Sequence, residues 1–279
     1  MSHPTAGPFP HELGELPALK QVCDEHQVYA RHGDVYDAFN YEGNRDASSL
    51  GDAIVVELLN RFPSEVELQL GQVLPPECLA GLREVDNVRP LLAAPAWIEG
   101  LLQRKCPDPQ QTKSVKRIWD DLADQFLQLK FVRDRDKWYQ LNDLADQLQW
   151  ALKFSKGASL RTLSQLMTWW NKVTGGRDQS FFPHAMAEQA FKNRTAKYIV
   201  YGHTHRHEIV PLDSSFNDRG QFDQMYINSG TWRRVHEQAK WNVEEREFMG
   251  YYVMTYLAFF KGDERGGRTF ESWSGALGA

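Results

Sequence analysis

Two histidines stand two residues apart in Gly202-His203-Thr204-His205, directly after the apolar run Tyr198-Ile199-Val200-Tyr201. The run reads as the end of a buried strand. Gly202 lets the backbone turn sharply or come close to something bound there. On an extended backbone, side chains at i and i+2 point the same way. His203 and His205 are then expected to converge just beyond the strand end, where open α/β sheets place their ligands. Neutral imidazole binds Zn, Fe, Cu and Ni, so the chemistry on offer is a metal site. The competing reading is a surface turn with polar histidines.

A second strand-terminal histidine lies upstream. Val28-Tyr29-Ala30-Arg31 reads as a strand running into His32-Gly33-Asp34. Asp34 either hydrogen-bonds a ligating imidazole, as outer carboxylates do, or caps the turn after the strand. The segment from Tyr36 to Asp46 reads as a loop. Pro17–Glu25 is expected to be a short helix. Another helix starts at Ser48 or Ser49, buries Leu50, Ile54, Val55, Leu58 and Leu59, and ends at Phe62-Pro63. From about 64 to 193 the pattern is almost wholly helical. Val115, Ile118, Trp119, Leu122, Phe126 and Leu129 share one face, and Leu141–Leu152 and Leu160–Trp170 continue the spacing. Breaks fall at Pro75-Pro76, Pro107–Pro109, Lys156-Gly157 and Gly175-Gly176. After 195 the pattern turns to strands: Ala196–Tyr201, Glu208–Leu212, Gln224–Asn228, Tyr251–Phe260 and Arg268–Trp273. Short polar turns between them predict antiparallel pairing.

Composition bounds the rest. The 279 residues carry a net charge of −5, with 42% apolar and 25% charged residues. Nothing in that balance argues for a nucleic-acid or membrane surface. Residues 101–175 run against it, with 13 Lys and Arg against 8 Asp and no Glu. These basic residues either attract a phosphorylated substrate or form solvated helix faces. Cys23, Cys78 and Cys106 are widely spaced, which suits a reducing compartment and argues against a disulfide framework. The longest apolar run, Tyr251–Phe260, is far below the ~20 residues of a membrane span. The first residues have no basic region followed by an apolar core, so a cytoplasmic location is expected.

Tyr201-Gly202-His203-Thr204-His205, followed by Tyr226-Ile227-Asn228-Ser229-Gly230-Thr231-Trp232, resembles the end of the calcineurin-like metallophosphoesterases. Gly-His-x-His is that family's last metal motif, and His32-Gly33-Asp34 looks like its lone mid-chain histidine. The resemblance covers roughly 28–62 and 181–235. It implies two divalent ions (Mn, Fe or Zn), with His32 and His203 on one and His205 on the other. It also implies a phosphorylated substrate. Asn228 then lies near the metals or is a turn asparagine. Two ions ~3.5–4 Å apart clamp a phosphate and generate a bound hydroxide.

The pattern departs from the family upstream. Asp-x-His, Gly-Asp and Gly-Asn-His-Asp should precede His32 by a long stretch, and the one Asp-x-His in residues 1–31, Asp24-Glu25-His26, stands only six residues before it. Gly43-Asn44-Arg45-Asp46 follows His32 and has arginine for the histidine, so it reads as a loop. The expected architecture is α/β: a partial metallophosphoesterase-type sandwich with a large all-helical insertion. Residues 1–62 form its N-terminal piece, 63–180 the insertion or lid, and 181–279 the C-terminal sheet. The chain then carries the C-terminal ligands of a phosphoesterase whose other half is missing, or is a catalytically inactive short form that binds a partner through its helices. Half a sandwich leaves an exposed sheet edge. Self-association is therefore expected in light scattering, and a monodisperse monomer would contradict it.

Overall fold

The computed structural model describes residues 10–37, 40–41, 43–89, 93–136, 180–217, 220–239, 241 and 247–278. The helical spacing from Leu141 to Trp170, the breaks at Gly157 and Gly175, and Trp138, Trp150, Trp169 and Trp170 lie outside the described residues. The chain is mixed α/β and divides into two compact units. Unit one draws on 1–47, 178–233 and 252–278, and unit two on 48–177 and 234–251.

Unit one is built on a four-stranded sheet of order β1-β3-β5-β4. The strands are β1 (Val28–Ala30), β3 (Tyr198–Tyr201), β4 (His207–Asn217) and β5 (Gly220–Ser229). β1, β3 and β5 are parallel, and β4 pairs antiparallel on the outside of β5. In this sheet the antiparallel expectation holds for the β4–β5 hairpin and fails for β3, which runs parallel to both its neighbours. β4 follows β3 in the chain, but β5 takes the place beside β3.

Side-chain alternation explains why the β3 run is apolar throughout. Ile199, Tyr201 and Tyr226 face one core with Phe181 and Ala185. Val28, Tyr198 and Ile227 face the other, against Leu257, Phe259 and Phe270. Both faces of the sheet are covered, so neither register position is left for a polar residue. Helices α8 (Phe182–Ala187) and α9 (Gln189–Lys192) lie on the first face, and strands β7 (Phe248–Phe259) and β8 (Phe270–Gly278) supply the second. Helix α1 (Pro17–Glu25) stands where the sequence places it, with proline in its first turn.

Unit two is helical around one end of a second four-stranded sheet. Its helices are α2 (Leu50–Ile54), α3 (Arg61–Leu70), α4 (Pro76–Leu82), α5 (Ala94–Lys105), α6 (Pro109–Gln128) and α7 (Lys130–Asp136). Val115, Ile118, Trp119, Leu122 and Phe126 form the buried face of α6, as their spacing requires. Trp119 meets Phe62 edge-on at 5.1 Å. Phe62-Pro63 does not end the helix that begins at Leu50. A π-turn, Val55–Leu59, intervenes, with Asn60 N bonded to Val55 O at 2.9 Å. Pro63 then falls in the first turn of α3, where its missing N–H costs nothing.

Strand β2 (Val88–Arg89) interrupts the helical stretch and pairs parallel with β6 (Arg234–Gln238). His236 is buried there beside Glu84 and Trp97, so it is a core residue and not a polar strand end. β7 begins in unit two and continues into unit one. No described helix is long and apolar enough to cross a membrane.

Ser49, not Ser48, caps α2. Its hydroxyl accepts from Asp52 N at 3.0 Å, and the Asp52 carboxylate accepts from Ser49 N at 2.9 Å. This reciprocal pair satisfies two otherwise unpaired donors. Ser49→Ala is expected to lower stability by about 1 kcal/mol in urea denaturation. An unchanged midpoint would show that the cap is dispensable.

Candidate functional site: a histidine pair at two parallel strand ends

β1 and β3 run parallel in register, Ala30 opposite Val200, so their carboxyl ends lie side by side. The chain continues past Ala30 to bond Arg31 N to Val200 O, and Gly202 N to His32 O, both at 3.0 Å. This short extension of the ladder fixes His32 against the Gly202 loop. Gly33 turns away with φ +99°. A Cβ there would meet Tyr201 Cβ at 3.4 Å and His203 Cβ at 3.7 Å, ordinary contacts, so the site needs glycine for its conformation and not for space.

The Gly202 loop departs from the expectation in its backbone. Gly202 itself has no positive φ. The left-handed conformations fall on His203 (φ +65°) and His205 (φ +60°). Thr204 N donates to Gly202 O at 2.7 Å, making a three-residue γ-turn centred on His203. Such turns are rare and strained. The backbone is therefore not extended, and the i, i+2 argument for aiming His203 and His205 at one point does not apply.

Asn228 pins this turn. It is buried at the end of β5, its Nδ2 donates to Gly202 O (2.7 Å), and its Oδ1 accepts from Gly230 N (3.1 Å). Nδ2 also lies 3.1 Å from the Tyr226 hydroxyl. Its amide is spent on backbone and core.

The structure brings His32 and His203 together. His32 Nε2 and His203 Nδ1 are 3.4 Å apart, and the rings meet edge to face. His203 Nε2 lies 2.8 Å from Asp37 Oδ2, which also accepts from Asn40 Nδ2 at 2.8 Å. Two donors converging on one carboxylate oxygen assign the proton to Nε2 and leave Nδ1 bare, facing His32. Burial first, and then the neighbouring His203, hold His32 below the usual imidazole range and favour its neutral form.

Asp34 hydrogen-bonds neither imidazole, the first of the two roles open to it. Its two oxygens take a fork from Arg45: Nη2 to Oδ1 at 2.6 Å and Nε to Oδ2 at 3.1 Å. Arg45 Nη1 reaches Glu12 Oε1 and His11 O, each at 2.8 Å. The Gly43–Asp46 loop thus carries the guanidinium that ties the segment after β1 to the residues before α1. The roles of Asp37 and Arg45 are not visible in the sequence because their partners are 11 to 166 residues away. Their only signal was a run of polar residues following a strand-terminal histidine.

His205 is half-buried one residue beyond the γ-turn. His207 opens β4 and bonds Ser272 Oγ at 2.8 Å. His184 stacks on Tyr36, ring centroids 4.3 Å apart. Among the described residues, no group of three or more His, Cys, Asp or Glu is placed to hold a metal ion. The two-ion centre implied by the resemblance does not fit them. The two ring nitrogens stand 3.4 Å apart, in direct hydrogen-bonding reach of one another. Comparison with protein-family models, characterised proteins and solved structures returns no match for this chain.

Asp34 generates a test. Burial opposes its ionisation, but the Arg45 fork outweighs burial and holds the carboxyl below its usual range. Its contribution is present above about pH 3.9 and is lost as pH falls through the lower folded value. Arg45→Gln is expected to cost about 1–3 kcal/mol at pH 7. The deficit should begin to shrink as pH falls below about 3.9 and should close only once pH has passed the lowered folded value of Asp34. An equal deficit at both pH values in urea titrations would contradict this.

Proposed function

We propose that this chain contributes the histidine side of a metal-dependent phosphoesterase site acting on a phosphorylated substrate. The observation that carries the reading is the convergence of His32 and His203. They lie 171 residues apart in sequence and meet at the carboxyl ends of adjacent parallel strands. Strained backbone at His203 supports it, because strain persists where a site demands a particular geometry.

On this reading, unit one is part of a metallophosphoesterase-type sandwich, and the helices of unit two belong to an insertion between its halves. A bound divalent ion would supply a polarising charge and an activated water. The protein groups do the rest. Asp37 holds the proton of His203 on Nε2, Asn228 holds the γ-turn, and Arg45 neutralises Asp34.

The free cysteines fit a cytoplasmic setting. Burial pushes the Cys78 thiol up to about 12, which leaves it inert as a nucleophile. A second reading, a non-catalytic binding module, is favoured by one observation: Asp34, the carboxylate beside His32, is already spent on Arg45.

Turnover decides between them. Chelator-stripped protein reloaded with Mn²⁺, Zn²⁺ or Fe²⁺ is expected to hydrolyse p-nitrophenyl phosphate or its diester. His32→Ala and His203→Ala should each lower that rate about 100-fold or more. Metal-independent turnover, or none with any ion, would overturn the proposal.

A further inference from the structure

We infer that strand β8 is an interaction surface whose occupant is β8 of a second copy of this chain, paired antiparallel about a two-fold axis at Ser274.

β8 ends the second sheet, whose order is β2-β6-β7-β8. Contacts settle its inner face. Phe270 packs against the Val28, Tyr198 and Ile227 core, Ser272 Oγ lies 2.8 Å from His207 Nε2, and Ser274 Oγ accepts from Thr255 Oγ1 at 3.3 Å. Alternation then puts Glu271, Trp273, Gly275 and Leu277 on the outer face. Trp273 is 64% exposed there and Leu277 55%.

Free sheet edges are guarded by shortness, proline, charge or a bulge. The other edges follow that rule. β1 has three residues and β2 two. β4 has eleven, but it carries Pro211, a register break between Pro211 and Asp213, and the charges of Glu208 and Asp213. β8 has nine residues, and Ser272–Gly278 contains neither proline nor charge. A strand without charge meets its own copy with no like-charge repulsion across the axis.

Gly275 sets the register. Its backbone is not left-handed, and a Cβ there would meet nothing within 4 Å. Nothing inside the chain requires glycine, which weakens a strand interior and marks places where another backbone or group comes close. With the axis at Ser274, Trp273 of each copy stands opposite Gly275 of the other. The indole then covers a position that has no side chain of its own, a pairing that rescues glycine in edge strands. The same edge is consumed on both copies, so the contact closes as a dimer and does not propagate.

Sedimentation velocity of the full chain over a wide concentration range tests this. A nine-residue edge is a small interface, so a reversible monomer–dimer equilibrium with a micromolar constant is expected. Trp273→Lys should leave monomer at every concentration while circular dichroism stays native. Gly275→Val should weaken the dimer about 10-fold without lowering the thermal midpoint of the monomer, because a branched side chain suits the strand but fills the space of the indole. Ile209→Lys, on the exposed edge of β4, should leave the dimer intact. Ser274→Cys should join the two copies by a 274–274 disulfide under oxidised glutathione, and the unaltered chain should not cross-link. Monomer throughout, open-ended aggregation, or a dimer lost in Ile209→Lys would overturn the inference. So would a dimer that survives Trp273→Lys, is unweakened by Gly275→Val, or fails to cross-link through Ser274→Cys.

Discussion

One oxygen of Glu188 takes three donors: Arg31 Nη1 at 2.9 Å, Tyr201 OH at 2.8 Å and Tyr36 OH at 2.5 Å. The rest of unit one's upper rim hangs from that point. Arg31 passes the connection to Glu12, Glu12 to Arg45, and Arg45 to Asp34. Acid and base alternate along the chain of contacts. It joins the start of α9, the end of β3, the residues before α1 and the loop after β1. Burial and its partners push the Tyr201 phenol upward, so it remains a donor. Buried ion pairs contribute little net stability, because desolvation offsets their attraction. Here their effect is geometric. Asp37 and Asn40 reach His203 only because the loop from Asp34 to Arg45 is held at both ends.

The network is not fully satisfied. Arg31 Nε is buried without a hydrogen-bond partner. An unpaired buried donor costs about 1–3 kcal/mol. Six hydrogen bonds and ion pairs around the same guanidinium and its two carboxylates evidently outweigh it. Losing any one member leaves others uncompensated, so the rim is cooperative and its members are not independent.

Elements whose signals are local were legible in the sequence. α1 begins and ends where proline and spacing place it, α6 buries the predicted stripe, and β1 and β3 carry the expected apolar runs. Pairing was not legible, because β5 enters between β3 and β4 and nothing local records that. Pro63 read as a stop because a π-turn that resets the helix before it leaves no mark in periodicity. At the site, the histidines stood out as strand-terminal residues, whereas Asp37 and Arg45 looked like loop polarity. Their roles are written in partners far along the chain. The left-handed backbone of His203 was equally invisible, since the adjacent glycine was the natural place to expect it.

That backbone has a consequence for how this protein would drift under laboratory evolution. A left-handed residue other than glycine costs about 1–2 kcal/mol, and glycine or asparagine relieves most of it. Two such positions, His203 and His205, lie within three residues. Selection for heat tolerance alone would therefore replace both imidazoles early, by the cheapest substitutions in the chain. A thermostable descendant would keep its sheet and its charged rim while losing the side chains that distinguish this turn from any other.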